Sequence, residues 1–186
     1  MKVCGFCGAS GAGKTTLIEG VIRELKAAGK RVSVVKHAGH GFDIDVPGKD
    51  SHRLRSAGAF EVIIASKHRL AKMREFEVAG EASVHQMLAE LAEVDWALVE
   101  GYKHADLPRI EVWRAGGDAR SGLLPDALPK LPPLYADDPF IVAVATDSPQ
   151  LLPVATARPV FALHDARGVA AYLLADTGRH EYTPHG

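Results

Sequence analysis

The sequence predicts an α/β domain with a mainly parallel β-sheet that carries helices on both faces. Short apolar runs alternate along the chain with segments of helical periodicity, and one run, "WALVEG", is apolar throughout its length. This alternation is typical of parallel sheets that are buried on both faces. With 186 residues, 47% of them hydrophobic, the chain is long enough for one such domain.

The first half of the chain contains four predicted strands. "KVCGFCG" is a short apolar strand, and Lys14 to Ala28 has helical spacing that stops at Gly29, a typical residue after a helix C terminus. "RVSVVKH" is a second strand, and Ser51 to Ala57 is long enough for one or two helical turns. "FEVIIAS" and "LAKMREF" are predicted as neighbouring strands around a turn near 67–68.

The second half continues the alternation. Ala82 to Leu91 has its apolar residues on one helical face, "WALVEG" is a buried strand, and "RIEVWR" alternates like a half-exposed strand. "FIVAVATD" and "PVFALH" are strands, and Asp165 to Ala175 is the closing helix. We predict a single domain over 1–178, with an irregular proline-rich excursion at 114–139 and a flexible tail at 179–186.

Charge is unevenly distributed although the formal net charge is only −1. Lys30 to Arg74 contains ten Lys or Arg against four Asp or Glu, and the chain from Glu75 onward contains eight against seventeen. This split favours a local field for an anion over nucleic-acid binding, which needs a broadly basic domain, although a solvated mixed surface would look the same. No apolar run approaches the ~20 residues of a membrane span and no signal peptide is visible, so we expect a cytoplasmic protein without a membrane partner.

The segment "GASGAGKTT" fits the phosphate-loop pattern G-x-x-x-x-G-K-[ST] between an apolar strand and a periodic helix. Small residues let backbone N–H groups surround phosphate oxygens, and the helix N terminus adds positive potential. We expect Lys14 to act on the terminal phosphates as a catalytic cation and Thr15 to bind Mg²⁺. The fold is then P-loop NTPase-like, and the nucleotide site comprises Gly8, Ala9, Ser10, Gly11, Ala12, Gly13, Lys14, Thr15 and Thr16.

An acidic partner for the magnesium is expected at the carboxyl end of a neighbouring strand, where ligands of parallel sheets bind. Asp95 precedes "WALV" and Glu100 follows it, so Glu100 is the predicted magnesium and catalytic residue and Asp95 has a structural position. Glu100 would hold a magnesium-bound water or orient the attacking one. A surface carboxylate that merely follows a strand is the alternative.

Cys4 and Cys7 form a C-x-x-C motif inside the first strand. Residues three apart in a strand point to opposite faces, so the two sulfurs diverge, and no further cysteine completes a thiolate zinc site. We therefore predict two small buried apolar residues and not a redox pair or half of a zinc site.

Five segments carry a family resemblance: "GASGAGKTTL", "VKHAGHGFDIDVPGKDSHRLRSAGA", "ALVEGYK", "PRIEVWR" and "VAVATD". Over Lys2 to Asp147, their order and spacing resemble the molybdopterin-guanine dinucleotide biosynthesis protein B (MobB) family. The second segment is the most specific, because phosphate loops are shared widely. It departs from the family at "HAGHG", where a more histidine-rich string is expected, so the resemblance assigns no role to His40.

The resemblance implies a GTP-binding, weakly GTP-hydrolysing accessory protein of molybdenum cofactor biosynthesis that uses Mg²⁺. It implies four partners: GTP, molybdopterin or the molybdenum cofactor, the guanylyltransferase that joins GMP to molybdopterin, and a second copy in a homodimer. Asp147 ends a late strand at the rim of the phosphate loop, where a carboxylate can accept hydrogen bonds from the N1–H and N2–H₂ groups of guanine. A cap or turn role before Ser148 is the alternative.

The segment from Lys36 to Arg53 has three possible roles: a metal cage, a solvated loop, or a wall of the nucleotide site. A cage would use His37, His40, Asp43 and Asp45, but a glycine-rich loop is a poor rigid cage and the spacing fits no compact metal signature. We favour the third role. Asp45 or Asp43 would then face the magnesium, and Lys49, Arg53 and Arg55 would face a phosphate of molybdopterin or GTP.

Two other functions stay open. "GASGAGKTT" and "VEG" also resemble motifs of nucleoside-type small-molecule P-loop kinases, although only Arg114, Arg120 and Lys130 are available as lid cations in the proline-rich excursion. The other is a nucleotide-switched binding module without significant turnover.

Overall fold

The computed structural model describes residues 1–39, 41–78, 80–115 and 132–183. The chain forms two compact units: unit 1 comprises Met1–His37 and Val84–Gly186, and unit 2 comprises Ala38–Ser83. Most of the predicted excursion at 114–139, with Arg120 and Lys130, lies outside the described residues, as does His40. The single domain over 1–178 stays a prediction.

The described residues include eight β-strands and four α-helices. In chain order they are β1 Lys2–Cys7, α1 Lys14–Ala27, β2 Val32–Lys36, α2 Asp50–Ser56, β3 Glu61–Ala65, β4 Leu70–Arg74, α3 Val84–Ala89, β5 Trp96–Glu100, β6 Arg109–Trp113, β7 Ile141–Thr146, β8 Val160–Ala162 and α4 Ala166–Ala175. Helix α1 ends as predicted before Gly29, whose φ of +76° a side-chain-bearing residue rarely adopts. Within the described residues, no helix is long and apolar enough to cross a membrane.

Unit 1 contains a six-stranded sheet with the spatial order β2–β5–β1–β6–β7–β8. Each pair of neighbouring strands is parallel. Helices α1 and α4 pack on one face of the sheet, and α3 packs on the other. The predicted α/β fold with a mainly parallel sheet and helices on both faces is therefore confirmed.

Strand β1 shows how the alternation of side chains fills both sides of the sheet. Cys4 and Phe6 belong to the apolar cluster under α1 and α4, whereas Val3 packs with α3 and Cys7 packs with Tyr135. The two thiols lie on opposite faces, as expected from their spacing. Burial raises the pKa of Cys4 and raises that of Cys7 to about 12, so both remain protonated and inert near neutral pH.

The prediction of a half-exposed strand at "RIEVWR" is wrong. Strand β6 lies between β1 and β7, and its first four residues are buried. The charged residues of the alternating pattern, Arg109 and Glu111, do not face solvent, because each is buried beside a polar partner. The Arg109 guanidinium contacts Asp138 Oδ2 at 2.6 Å, and the Glu111 carboxylate accepts the backbone N–H of Tyr135 at 2.7 Å.

Residues 180–182, in the predicted flexible tail at 179–186, contact β1 and Met1. His180 is 1% exposed and its Nδ1 donates to the Val3 carbonyl at 3.0 Å. Glu181 bridges to Lys2 at the start of β1, and the Tyr182 N–H donates to the Met1 carbonyl at 2.9 Å. The burial of His180 could not be read from the sequence, because its partners are distant in the chain: its ring lies 5.4 Å from the Trp96 ring, centroid to centroid.

Unit 2 consists of α2 and the antiparallel pair β3–β4 around a small charged network. Arg55 on α2 contacts the carboxylates of Asp43 at 2.9 Å, Asp45 at 3.1 Å and Glu75. Ser51 also donates to Asp45, at 2.8 Å, and this bond, with the Arg55 contact, holds the pKa of the Asp45 carboxyl below its usual range. The two strands predicted around a turn near 67–68 are confirmed.

Candidate functional site

The phosphate loop connects the carboxyl end of β1 to α1 at one edge of the sheet. Gly8, Gly11 and Gly13 have φ values of +131°, +71° and +101°, which side-chain-bearing residues rarely adopt. A Cβ on Gly8 would lie 2.1 Å from the backbone oxygen of Val112, so the loop passes directly over β6. Ala12, within the loop, is 1% exposed and belongs to the core cluster. Backbone geometry and core packing together fix the curve of the loop.

Lys14 begins α1, and its ammonium lies over the phosphate loop. Its Nζ donates to the backbone carbonyls of Gly8 at 3.0 Å and Ala9 at 2.6 Å. No side chain caps the N terminus of α1, and its first turn contains no acidic residue. The positive end of the helix and the ammonium therefore act at the same place, an arrangement suited to an anion with several negative oxygens.

Thr15 and Glu100 contact each other directly beside the loop. The Thr15 hydroxyl donates to Glu100, with its Oγ1 2.9 Å from Oε1 and 3.0 Å from Oε2. A hydroxyl and a carboxylate are oxygen ligands of the kind that Mg²⁺ takes in nucleotide sites, where phosphate oxygens and waters complete its shell. The two side chains fit a magnesium ion shared with a bound nucleotide.

Strand register brings Glu100 to this position. Strand β5 lies between β1 and β2, with Glu100 opposite Phe6 on one side and Lys36 on the other. The chain then turns at Gly101, whose φ is +100° and whose added Cβ would lie 2.8 Å from the Cβ of His37. The Gly101 N–H donates to the Phe6 carbonyl at 3.1 Å, and the His37 N–H donates to the Glu100 carbonyl at 2.9 Å. The backbone around Glu100 is therefore held from both neighbouring strands.

Lys36 is a site residue that the sequence analysis did not assign. Its Nζ lies 3.3 Å from Glu100 Oε2 and 3.4 Å from Oε1. The rule that selected Glu100, a charged residue at the carboxyl end of a parallel strand, also applies to Lys36 at the end of β2. The order of strands that makes the two residues neighbours could not be read from the sequence.

Asp147 follows β7, two strands from β1, at the same edge of the sheet. Its Oδ2 lies 3.0 Å from Nε of Arg114, which follows β6, and its Oδ1 accepts a hydrogen bond from Ser148 Oγ at 3.2 Å. The side chain is 43% exposed. The carboxylate is therefore accessible at the rim and is oriented by a cation on the neighbouring strand.

The predicted ligands from the segment between Lys36 and Arg53 lie in unit 2. Asp45 is engaged by Ser51 and Arg55, and its side chain is only 6% exposed. Lys49, directly before α2, is exposed, and the Arg53 side chain is 75% exposed and 3.7 Å from Asp50. Arg55, expected to face an anion, instead has its charge balanced by three carboxylates of unit 2. The sequence shows Arg55 within a basic segment, but it gives no sign of the contacts between Arg55 and these three carboxylates.

Comparison with known proteins agrees with this fold. A family model described as molybdopterin guanine dinucleotide synthesis protein B (MobB) matches residues 3–147. The chain belongs to the MobB family. The resemblance seen in the sequence is thus confirmed, and the family match covers every site residue named above from unit 1 and unit 2.

Two curated relatives are similar over most of their length. The molybdopterin-guanine dinucleotide biosynthesis adapter protein of Escherichia coli is 35% identical over 171 residues, which is 91% of this chain and 89% of that protein. The adapter protein of Haemophilus influenzae with the same description is 37% identical over 149 residues, 80% of this chain and 76% of its own.

Solved structures of the family share the fold. A MobB homologue from Bacillus stearothermophilus is 25% identical, with a TM-score of 0.64 over 96% of this chain and 99% of that chain. MobB from Bacillus subtilis is 21% identical, with a TM-score of 0.66 over 94% of this chain and 97% of its own, and this likeness shows the fold alone.

Proposed function

We propose that the protein is a GTP-binding, weakly GTP-hydrolysing adapter in the assembly of molybdopterin guanine dinucleotide. The observation that carries the proposal is the contact of Thr15 with Glu100 beside a loop over which Lys14 holds its charge. Relatives at 35% and 37% identity are described as adapter proteins of this pathway. Nothing in the comparisons supports the kinase alternative.

Lys14, Thr15 and Glu100, which we call the magnesium corner, each have a distinct part in GTP binding and hydrolysis. Lys14 and the N terminus of α1 bind the phosphate oxygens, and Thr15 and Glu100 hold Mg²⁺, which neutralises charge on the phosphates. Glu100 also orients the water that attacks the terminal phosphorus, and GDP and inorganic phosphate leave. Asp45 as a further magnesium ligand stays a prediction, and that role requires release of its contact with Arg55.

Asp147 is our proposed reader of the guanine base. A carboxylate at the rim accepts hydrogen bonds from N1–H and the N2 amine, the edge that distinguishes guanine from adenine. Support comes from the position of Asp147 at the edge that holds the phosphate loop and from its contact with Arg114, which orients the carboxylate.

The exposed cations of unit 2 are proposed to bind a phosphate of molybdopterin. Lys49 and Arg53 lie four residues apart at the start of α2, and both side chains extend into solvent. Arg55 is excluded from this role by its three carboxylate partners, which instead fix α2 to the loop before it.

The molybdenum cofactor guanylyltransferase is the proposed protein partner, and the cytoplasm is the proposed compartment.

A homodimer formed through unit 2 is supported by its exposed apolar side chains. Ile63 and Leu70 lie on one face of β3–β4 and are 59% and 68% exposed. Further large apolar side chains of unit 2 are exposed to at least half: Phe42, Ile44, Val46, Leu54, Phe60, Phe76 and Val78. A two-stranded sheet is marginal alone, and apolar surface of this extent marks a protein interface.

Lys14→Ala is expected to weaken GTP binding about tenfold to a hundredfold, because a charged hydrogen-bonding partner of the phosphates is lost. Glu100→Gln is expected to keep GTP binding at saturating Mg²⁺ while lowering hydrolysis by a similar factor. Calorimetry and phosphate release measure the two effects, with Lys26→Ala at the far end of α1 as the control. A Lys14→Ala protein that binds GTP like the wild type would contradict the site.

Asp147→Asn is expected to reduce the preference for GTP over ITP, which lacks the N2 amine, about tenfold. The asparagine replaces one acceptor oxygen by a donor, so the paired acceptance from N1–H and N2–H₂ is lost. Competition binding with both nucleotides measures the ratio, and Asp137→Asn, an exposed residue outside the site, is the control. An unchanged ratio would remove Asp147 from the base pocket.

The double substitution Lys49→Glu and Arg53→Glu is expected to weaken molybdopterin binding at least tenfold at low salt and less at high salt, because exposed charges are screened. Arg23→Glu with Lys26→Glu on α1 makes the same change in net charge and serves as the control. Equal binding by the two double variants would favour a solvated loop.

Leu70→Asp is expected to convert the dimer to a monomer at micromolar concentration, because a carboxylate cannot be buried in an apolar interface without a partner. Sedimentation velocity measures the mass. Leu151→Asp, at a position 56% exposed in unit 1, is the control and should remain dimeric. A monomeric wild type, or a dimeric Leu70→Asp protein, would contradict an interface through unit 2.

A further inference from the structure

Lys36 and Thr15 share the two oxygens of one carboxylate. The Lys36 ammonium lies 3.3 and 3.4 Å from the Glu100 oxygens, and the Thr15 hydroxyl lies 2.9 and 3.0 Å from the same atoms. The parallel register of β2 on β5 sets Lys36 directly opposite Glu100. The ammonium thus binds the group that the proposed function assigns to magnesium.

The partly buried carboxylate of Glu100 is stabilised by a neighbouring cation, whereas the exposed ammonium of Lys36 can be solvated by water instead. The Glu100 side chain is 12% exposed, so water solvates its charge poorly and a positive partner stabilises it. The Lys36 side chain is 59% exposed and its flexible stem lets the ammonium return to water at small cost. The asymmetry makes Lys36 the exchangeable member of the pair.

We propose that Lys36 holds the place of Mg²⁺ on Glu100 and that binding of the metal with its nucleotide exchanges the ammonium for the metal. The inference rests on the proposed function, because it requires Glu100 to be a magnesium ligand. It adds a regulatory role: Lys36 sets the magnesium concentration at which GTP is taken up. It also keeps the Glu100 charge balanced before and after the exchange, so the carboxylate repels an incoming phosphate less.

A magnesium titration tests this exchange. GTP binding to the full-length protein is followed by calorimetry at increasing MgCl₂. The titration gives the magnesium midpoint, which is the MgCl₂ concentration at which GTP binding is half-maximal, and the GTP dissociation constant at saturating magnesium. Lys36→Met removes the competing charge and is expected to lower the midpoint about twofold to fivefold, the factor that corresponds to the upper part of the ~0.2–1 kcal/mol range for exposed ion pairs. The dissociation constant at saturating magnesium should change less than about threefold.

Two further variants isolate the charge. Lys36→Arg restores a cation and should return the midpoint toward that of the wild type. Lys30→Met, at an exposed lysine that precedes the same strand, should leave the midpoint unchanged. In EDTA without nucleotide, Lys36→Met should melt at a lower temperature than Lys30→Met, because the Glu100 charge has lost its cation.

The outcomes separate this inference from the proposed function. A wild type that binds GTP with a measurable magnesium midpoint, while Lys36→Met has an unchanged or higher midpoint, overturns the exchange alone. An unchanged midpoint with a dissociation constant raised tenfold or more would make Lys36 a phosphate ligand instead. A wild type that binds no GTP at any magnesium concentration overturns the proposed function and the exchange with it.

Discussion

The parallel register of β2, β5 and β1 is the constraint on which the rest of the site depends. It sets Glu100 opposite Lys36 on one side and opposite Phe6 on the other, one residue before β1 ends and the phosphate loop begins. A shift of one residue would turn Glu100 to the other face of the sheet, away from Thr15. The position of Glu100 beside Thr15, where we propose that magnesium binds, is therefore a consequence of strand pairing more than of any single side-chain contact.

The remaining parts of the site are positioned around the Glu100 carboxylate by the phosphate loop and by the packing of α1. The glycines of the loop let the backbone pass over β6, and α1 brings Thr15 and Lys14 to the carboxyl edge because Leu17 and Leu25 bury its inner face against the sheet. Cations balance the acidic groups throughout: Lys36 for Glu100, Arg114 for Asp147, and Arg55 for the aspartates of unit 2. In each case a negative group proposed for a ligand is paired with a positive side chain.

The sequence was sufficient for the fold class and for placing Glu100 at the edge of the sheet that holds the phosphate loop, because the loop and the strand before Glu100 are local patterns. The role of Glu100 as a magnesium ligand stays a prediction. The sequence failed where a property depends on distant neighbours. Strand β6 was expected to be half-exposed because its alternating charges suggest solvent, but Asp138 and the backbone of Tyr135 satisfy those charges inside the protein. Lys36 and the carboxylate partners of Arg55 were missed for the same reason, since strand order and loop closure cannot be read from spacing.

A calorimetric comparison of GTP and ATP, each with Mg²⁺ and with EDTA, tests the central claim that this corner is a magnesium-dependent guanine nucleotide site. We predict that GTP binds more tightly than ATP and that EDTA weakens GTP binding, because we propose that Thr15 and Glu100 act on the phosphates through the metal. Equal binding of the two nucleotides would contradict the guanine assignment, and GTP binding that is the same in EDTA would contradict the magnesium corner itself.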